Sequence, residues 1–279
     1  MKNIFLMTAC LLTMNGFSQK INNQLSFEKG KKLEMTLTVN SLSASMGNTT
    51  VDAVIERVFD IDDVINGNAV IEHKIKRIQF KMQSIMGAED FDSEREQDRK
   101  GNMGKAFEKT LKSKYTMTID AYGKILDVKK DDDNNAENNA ATNDMIANIL
   151  AQSGAGIKEP VAGEGSDFMI LPAGESGSGD SWTDSLENGI GHYTIEAIND
   201  STIVIQLNEE IQVNQKQEMM GNEINIITVE KSTGTILLDR KTKLLKEKNV
   251  TSTAEGTISA MGHTMPINTK TTKKWVVRG

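Results

Sequence analysis

Long stretches of this chain alternate apolar and polar residues with a period of two, and that pattern commits it to strands with one buried and one wet face. Residues 32–39 place Leu33, Met35, Leu37 and Val39 on one side. Val51, Ala53 and Ile55 repeat the pattern, and a candidate strand over 70–82 ends on Ile78, Phe80 and Met82. A second block from His192 onward does the same, with Ile203, Ile205 and Leu207 in phase and a closing run that ends WVV. The outward positions are Thr, Lys, Glu and Gln, as a solvated antiparallel sheet requires. Only three prolines occur in the 279 residues, and Thr, Asn, Ile and Val are plentiful, which is a strand-forming composition.

Met-Gly recurs four times between these runs, at Gly47, Gly87, Gly221 and Gly262. Glycine accepts the positive φ of tight hairpin turns, and a neighbouring Asn assists. Gly47–Asn48 and Gly221–Asn222 fit this best. The phrase therefore predicts hairpin tips, each Met serving as flexible apolar filler beside the turn.

Between the blocks the texture changes. Met103, Phe107 and Leu111 at spacing four predict a short amphipathic helix from Asn102. Residues 115–128 predict a hairpin turning at Ala121–Lys124. The run 131–141 is acidic and Asn-rich, a solvated segment. A second helix is expected near 143–153, capped by Asn143 and stopped by Gly154. Leu171 opens a Gly/Ser loop that ends at Trp182.

Residues 1–18 read as a secretory leader. Lys2 precedes an apolar run from Ile4 to Met14, too short to span a bilayer. Cleavage after Ser18 would leave Gln19 first. The alternative is a lipoprotein anchored through Cys10, the chain's single cysteine, although that thiol sits inside the apolar run. Cleavage after Ser18 leaves no cysteine, hence no disulfide and no thiolate chemistry in the mature chain. The expected organisation is thus a leader (1–18), a strand-rich half (19–130), a flexible acidic and Gly/Ser connector (131–180) and a second strand-rich half (181–279).

The chain carries 32 basic and 39 acidic residues, and losing Lys2 moves the formal charge from −7 to −8. That balance argues against nucleic acid or anionic lipid surfaces as partners, since both select a basic face. No segment of the mature chain reads as a transmembrane helix.

Catalytic and metal chemistry finds little support. His73, His192 and His263 share no metal-ligand spacing, and they read as strand-face or surface histidines. Gly174–Gly179 lacks the spacing of a nucleophile elbow and no Lys-Ser/Thr follows for a phosphate cradle. Asp131, Asp133 and Asn135 begin like a calcium loop, but Ala136 and Thr142 stand where glycine and glutamate are needed. Asp60, Asp62 and Asp63 read as a strand-end turn. No carboxylate pair has an evident reason to be buried with a shifted pKa. No cofactor is expected. Aromatics are sparse, at two Trp, three Tyr and eight Phe, too few for an exposed carbohydrate platform. Trp182 and Trp275 are the candidate ligand contacts, with core packing as the competing role.

The leader, the run YTMTIDAYGKILDV, the loop ending GDSWTDS and TILLDRKTKLL together resemble an uncharacterised family of exported, β-rich Bacteroidota proteins, catalogued as a domain of unknown function. The resemblance spans nearly all of the mature chain. It implies a curved antiparallel sheet in the periplasm or cell envelope and carries no catalytic residue. Asp184–Ser185–Leu186 and Asp200–Ser201–Thr202 are similar to the O-glycosylation acceptor pattern of that phylum.

The reading is a mainly β protein in which a large curved antiparallel sheet, in two similar halves, takes one or two short helices on its concave side. Such a sheet can enclose an apolar cavity. The expected role is non-catalytic binding or carriage of a hydrophobic, lipid-like ligand. The alternative is a structural or protein-interaction component of the envelope with a filled core. A hydrolase ranks last.

Overall fold

The computed structural model describes residues 20–44, 48–85, 87–130, 155–156, 158–186, 188–219, 222–260 and 263–279. The expected leader, the acidic run and the expected helix near 143–153 lie outside them. Strands account for 67% of the structure.

The first half supplies β1 (Ile21–Asn22), β2 (Lys32–Ser43), β3 (Thr49–Ile65), β4 (Asn68–Ser84), β5 (Gly87–Asp92), β6 (Lys114–Ile119) and β7 (Ile125–Lys130). The second supplies β8 (Glu175–Ser176), β9 (Ser181–Leu186), β10 (Gly189–Ile198), β11 (Thr202–Met219), β12 (Asn222–Asp239), β13 (Leu245–Ala260) and β14 (His263–Arg278). Twelve of these form one antiparallel sheet in the order β7-β6-β4-β3-β2-β14-β13-β12-β11-β10-β9, with β5 alongside β4. β2 pairs with β14, so the sheet runs unbroken through both blocks. It is open, with β7 and β9 as its edges. β1 and β8 make a separate two-stranded piece.

Three of the four Met-Gly phrases fall between paired strands and the other runs into β5 at Gly87, and the register puts all four connections at one end of the sheet. They join β2 to β3, β4 to β5, β11 to β12 and β13 to β14. Gly87, the one of the four glycines within the described residues, has φ +136. The opposite end holds the Asn66–Gly67 turn, whose φ values of 52 and 84 make a type I′ hairpin between β3 and β4.

The sheet is strongly curled. The amides of Leu25 and Ser26, adjacent residues, donate to the carbonyls of Ala121 and Thr242 at 2.7 and 2.9 Å. Those acceptors therefore lie within about 10 Å of each other. Ala121 sits between β6 and β7, Thr242 between β12 and β13. Five strand spacings separate β6 from β13, about 24 Å in a flat sheet. The N-terminal segment thus ties together two distant parts of the rim. Gly256 in β13 helps the backbone to bend, since a Cβ there would stand 1.9 Å from the Ile227 carbonyl oxygen of β12.

The concave face holds the core. One cluster joins Met35, Phe59, Ile71, Ile119, Ile195, Ile205 and Leu238. The other joins Leu37, Val39, Ile55, Ile78, Phe80, Phe91 and Phe107, and Trp275 packs against both. A short helix α1 (Glu96–Lys100) precedes α2 (Asn102–Lys112). Phe107 of α2 is 4% exposed, with Met103 and Leu111 beside it, so this helix packs on the concave side, as its spacing predicts.

A bulge in β4 decides which residues reach that core. Ile55 faces Ile78, yet Arg57 faces Ile75, leaving Lys76 as the extra residue. The inward set switches there from Phe80 and Ile78 to Ile75, His73 and Ile71. Without the bulge, Lys76, Lys74 and Glu72 would point into the core. Instead Lys74 and Lys76 make ion pairs with Asp60, Glu72, Glu34 and Glu56 on the convex face.

Candidate functional site

The segment 158–180 forms a strap that crosses the concave side from one edge of the sheet to the other. It is anchored beside β7, where the Ile125 amide donates to the Glu164 carbonyl and the Gly163 amide to the Ile125 carbonyl. Gly123 has φ +94, and a Cβ on it would lie 2.7 Å from Met169 Cα, so only glycine allows the strap to sit so close. At the far edge the Gly179 amide donates to the Ile195 carbonyl and the Ile195 amide to that of Asp180. In between, Phe168 is 1% exposed and meets Phe27 and Phe59 edge-on, at 5.5 and 5.1 Å. The stretch expected as a connector thus contributes to the core.

Between strap and sheet the described residues line two cavities. The larger, of about 290 Å³, is lined by Leu37, Phe59, Met117, Ile125, Pro160, Val161 and Trp275, with Arg57, His73 and Asp167 among its polar groups. The smaller, of about 190 Å³, is lined by Met35, Met169, Ile170, Tyr193, Ile236, Leu245 and Trp275, with Asp167, Asp184 and Lys248. They meet at Trp275, Ser166 and Asp167.

Arg57 projects from β3 into the larger cavity, and its Nη1 donates to Asp167 Oδ2 of the strap at 3.0 Å. Its side chain is 9% exposed, against 38% for Asp167. His73 is 5% exposed and stacks on Phe59 at 4.7 Å, with Tyr115 on its other flank at 6.3 Å. Burial, aided by the nearby Arg57 charge, pulls its pKa down from 6.5 to about 4, so the ring is neutral at pH 7. Arg57 Nε and His73 Nε2 are buried polar atoms without a hydrogen-bond partner among the described residues.

In the smaller cavity, burial lowers the pKa of Lys248, whose Nζ lies 5.2 Å above the Trp275 ring. Burial raises that of Asp184. Tyr193 donates to Glu209 at 3.3 Å, and burial, then the Glu209 and Asp184 charges, push its hydroxyl above its ordinary range. At the strap's entrance Lys130 binds Glu159 at 3.0 Å and caps the Tyr115 ring at 5.2 Å.

Of the two expected contact residues, Trp275 lines both cavities. Trp182 lies behind the smaller one, stacked on Tyr193 at 5.3 Å. His73, expected on a strand face, is buried at the cavity floor; His192 and His263 are exposed. Sequence reasoning passed over Arg57, Asp167 and Lys248. Asp60, Asp62 and Asp63, expected at a strand-end turn, lie within β3. Among the described residues no group of three or more His, Cys, Asp or Glu is placed to hold a metal, and no helix is long and apolar enough to cross a membrane.

Comparison with known proteins adds a family. Residues 66–245 match DUF6263, a family of unknown function. No curated protein matches. Lipovitellin, solved for its lipid–protein interactions, superposes at a TM-score of 0.46 and 10% identity, covering 91% of this chain. The chain spans only 26% of that protein's length. An outer membrane channel from Pseudomonas putida F1 superposes at a TM-score of 0.28 and 7% identity, covering 92% of this chain and 98% of the channel.

Proposed function

The chain belongs to DUF6263, a family of unknown function, and we propose that it is an exported, non-catalytic protein that binds a small, largely apolar molecule between its curved sheet and the strap. The observation that carries this reading is the pair of clefts beneath the strap that meet at Trp275, lined by aromatic and aliphatic side chains with charged groups among them. A concave, mostly apolar site with a few polar groups is how proteins hold small ligands. The larger cavity, about 290 Å³, has the volume of roughly ten water molecules. It therefore suits a compact molecule, or one end of a longer one, rather than a whole phospholipid.

The leader at residues 1–18 and the cysteine-free sequence after it support export. Together with the motifs shared with exported Bacteroidota proteins, they support a place in the periplasm or cell envelope. The alternative role, a structural component of the envelope with no small ligand, requires both cavities to hold water alone.

Trp275 reports on the difference. The chain has two tryptophans, so Trp182→Phe leaves Trp275 as the single indole emitter. Titrating this variant with envelope lipid extract should shift its emission to saturation at stoichiometric ligand. An unchanged spectrum across the titration contradicts the binding reading.

A further inference from the structure

Lys248 interrupts an apolar row on the concave face. The strand registers align Ile236, Lys248, Trp275, Leu37, Ile55 and Ile78 across β12, β13, β14, β2, β3 and β4. Residues paired in this way share a face of the sheet. Ile236, Leu37, Ile55 and Ile78 are buried in the core, so Lys248 points inward with them, and it lines the smaller cavity. Lys273, two residues from Trp275 on the same face, reaches Glu230 at 4.0 Å. Lys248 has no ion pair and no hydrogen bond among the described residues; its Nζ lies 5.2 Å above the Trp275 ring. The residue is half-buried, and Nζ is not one of the unpartnered polar atoms closed to water, so a molecule in the cleft can reach it.

Resting on the binding role above, we infer that Lys248 is the attachment point for an apolar aldehyde, which the smaller cavity holds as a reversible imine with its hydrocarbon chain against Met35, Leu245 and Trp275. An unpaired amine open to an apolar pocket is how lysine serves as a nucleophile toward carbonyls. Burial also lowers its pKa, which makes the free amine easier to reach than on an exposed lysine. The Nζ lone pair adds to the carbonyl carbon. The ammonium gives up two protons in all, both end on the carbonyl oxygen, and that oxygen leaves as water; the C=N bond that remains carries one proton. Tyr193 lines the cavity and donates to Glu209 at 3.3 Å, and the Glu209 charge acts on Lys248, so this pair is placed to take and return the proton. Charge favours a neutral ligand. Around the cleft Arg57, Lys248 and Lys273 stand against Asp167, Asp184, Glu209 and Glu230. A carboxylate would add to that surplus of anions, and an ammonium would face Lys248. An aldehyde leaves the balance as it was, because a protonated imine replaces the ammonium above the indole.

The test treats residues 19–279 with equimolar octanal and sodium cyanoborohydride at pH 7, then maps the trapped octyl groups by peptide mass spectrometry. The expected result is a single octyl group, on Lys248, formed at least ~10-fold faster than on any other lysine, since a bound aldehyde is held against the amine. Lys248→Arg keeps a cation above Trp275 but cannot form the imine. It should lose that label, while in the Trp182→Phe background octanal still shifts the Trp275 emission. The wild-type map decides the matter by itself should the Arg variant fail to fold. Labels spread evenly over the exposed lysines, or an unlabelled Lys248 in a protein whose Trp275 emission octanal shifts, overturn the imine and leave the binding role intact. An unlabelled Lys248 with unshifted emission overturns it too; the binding role itself is then decided by the titration with lipid extract.

Discussion

Moving the wild-type protein from neutral pH to pH 4.5 should weaken it through His73 before its salt-bridged carboxylates titrate. In the unfolded chain this imidazole takes up a proton near 6.5; in the folded protein burial and Arg57 delay that to about 4. The depressed folded value means that the stabilisation is fully present above 6.5 and is lost as pH falls toward 4. The gap, at about 1.4 kcal/mol for each pH unit, comes to roughly 3 kcal/mol at its full extent. That is a large fraction of the 5–15 kcal/mol typical of a folded domain. The carboxylates Asp63, Glu159, Asp239 and Glu247 are all held below their ordinary values by hydrogen bonds and nearby cations. Their contributions are present above about 4.5 and fade below it, and Asp184, raised by burial, works in the opposite direction by becoming less costly as it takes up a proton, so the loss of stability between 6.5 and 4.5 traces to His73. Urea unfolding at pH 7, 5.5 and 4.5 should show wild-type stability falling by roughly 2 kcal/mol or more across that interval, with His73→Phe nearly flat. Equal slopes in the two proteins would refute the assignment of His73 as a buried, neutral group.

Three further substitutions probe the architecture. Gly256→Ala drives a methyl group to 1.9 Å from the Ile227 carbonyl and should cost about 2–4 kcal/mol in chemical denaturation; a neutral result would mean that the sheet does not bend there. Phe107→Ala empties the contact between α2 and β4 at a 4% exposed ring and should cost about 3–4 kcal/mol, read by the thermal midpoint. Asp167→Asn leaves the Arg57 guanidinium buried without its counter-charge and should cost about 3 kcal/mol. It should also raise protease sensitivity within residues 158–180, because the ion pair ties the strap to β3.

The strands and helix α2 were legible because their signal is local. Period two in β2, β3 and β11 and spacing four in α2 are written in neighbouring residues, and the Met-Gly phrases mark connections that the register confirms as hairpins. The site was not legible, because it is assembled by curvature. Asp167 meets Arg57 across 110 residues, and Ala121 meets Thr242 only through the bridging N-terminal segment. Composition also misdirected the reading of 158–180, where Gly and Ser obscure Phe168 and Leu171 as core residues. One signal was available. Arg57 interrupts the inward series Val51, Ala53, Ile55 and Phe59, and His73 stands between Ile71 and Ile75. A charged and a titratable residue at apolar phase positions on candidate strands mark where a sheet departs from simple core packing.

The central claim is that the cleft beneath the strap holds a small molecule. Native mass spectrometry of the mature protein, purified from the cell that makes it and then denatured, tests this most directly. The account predicts a stoichiometric adduct that survives purification, leaves on denaturation, and is small enough for a cavity of about 290 Å³. A clean apo mass, unchanged after incubation with whole-envelope lipid extract, would contradict it.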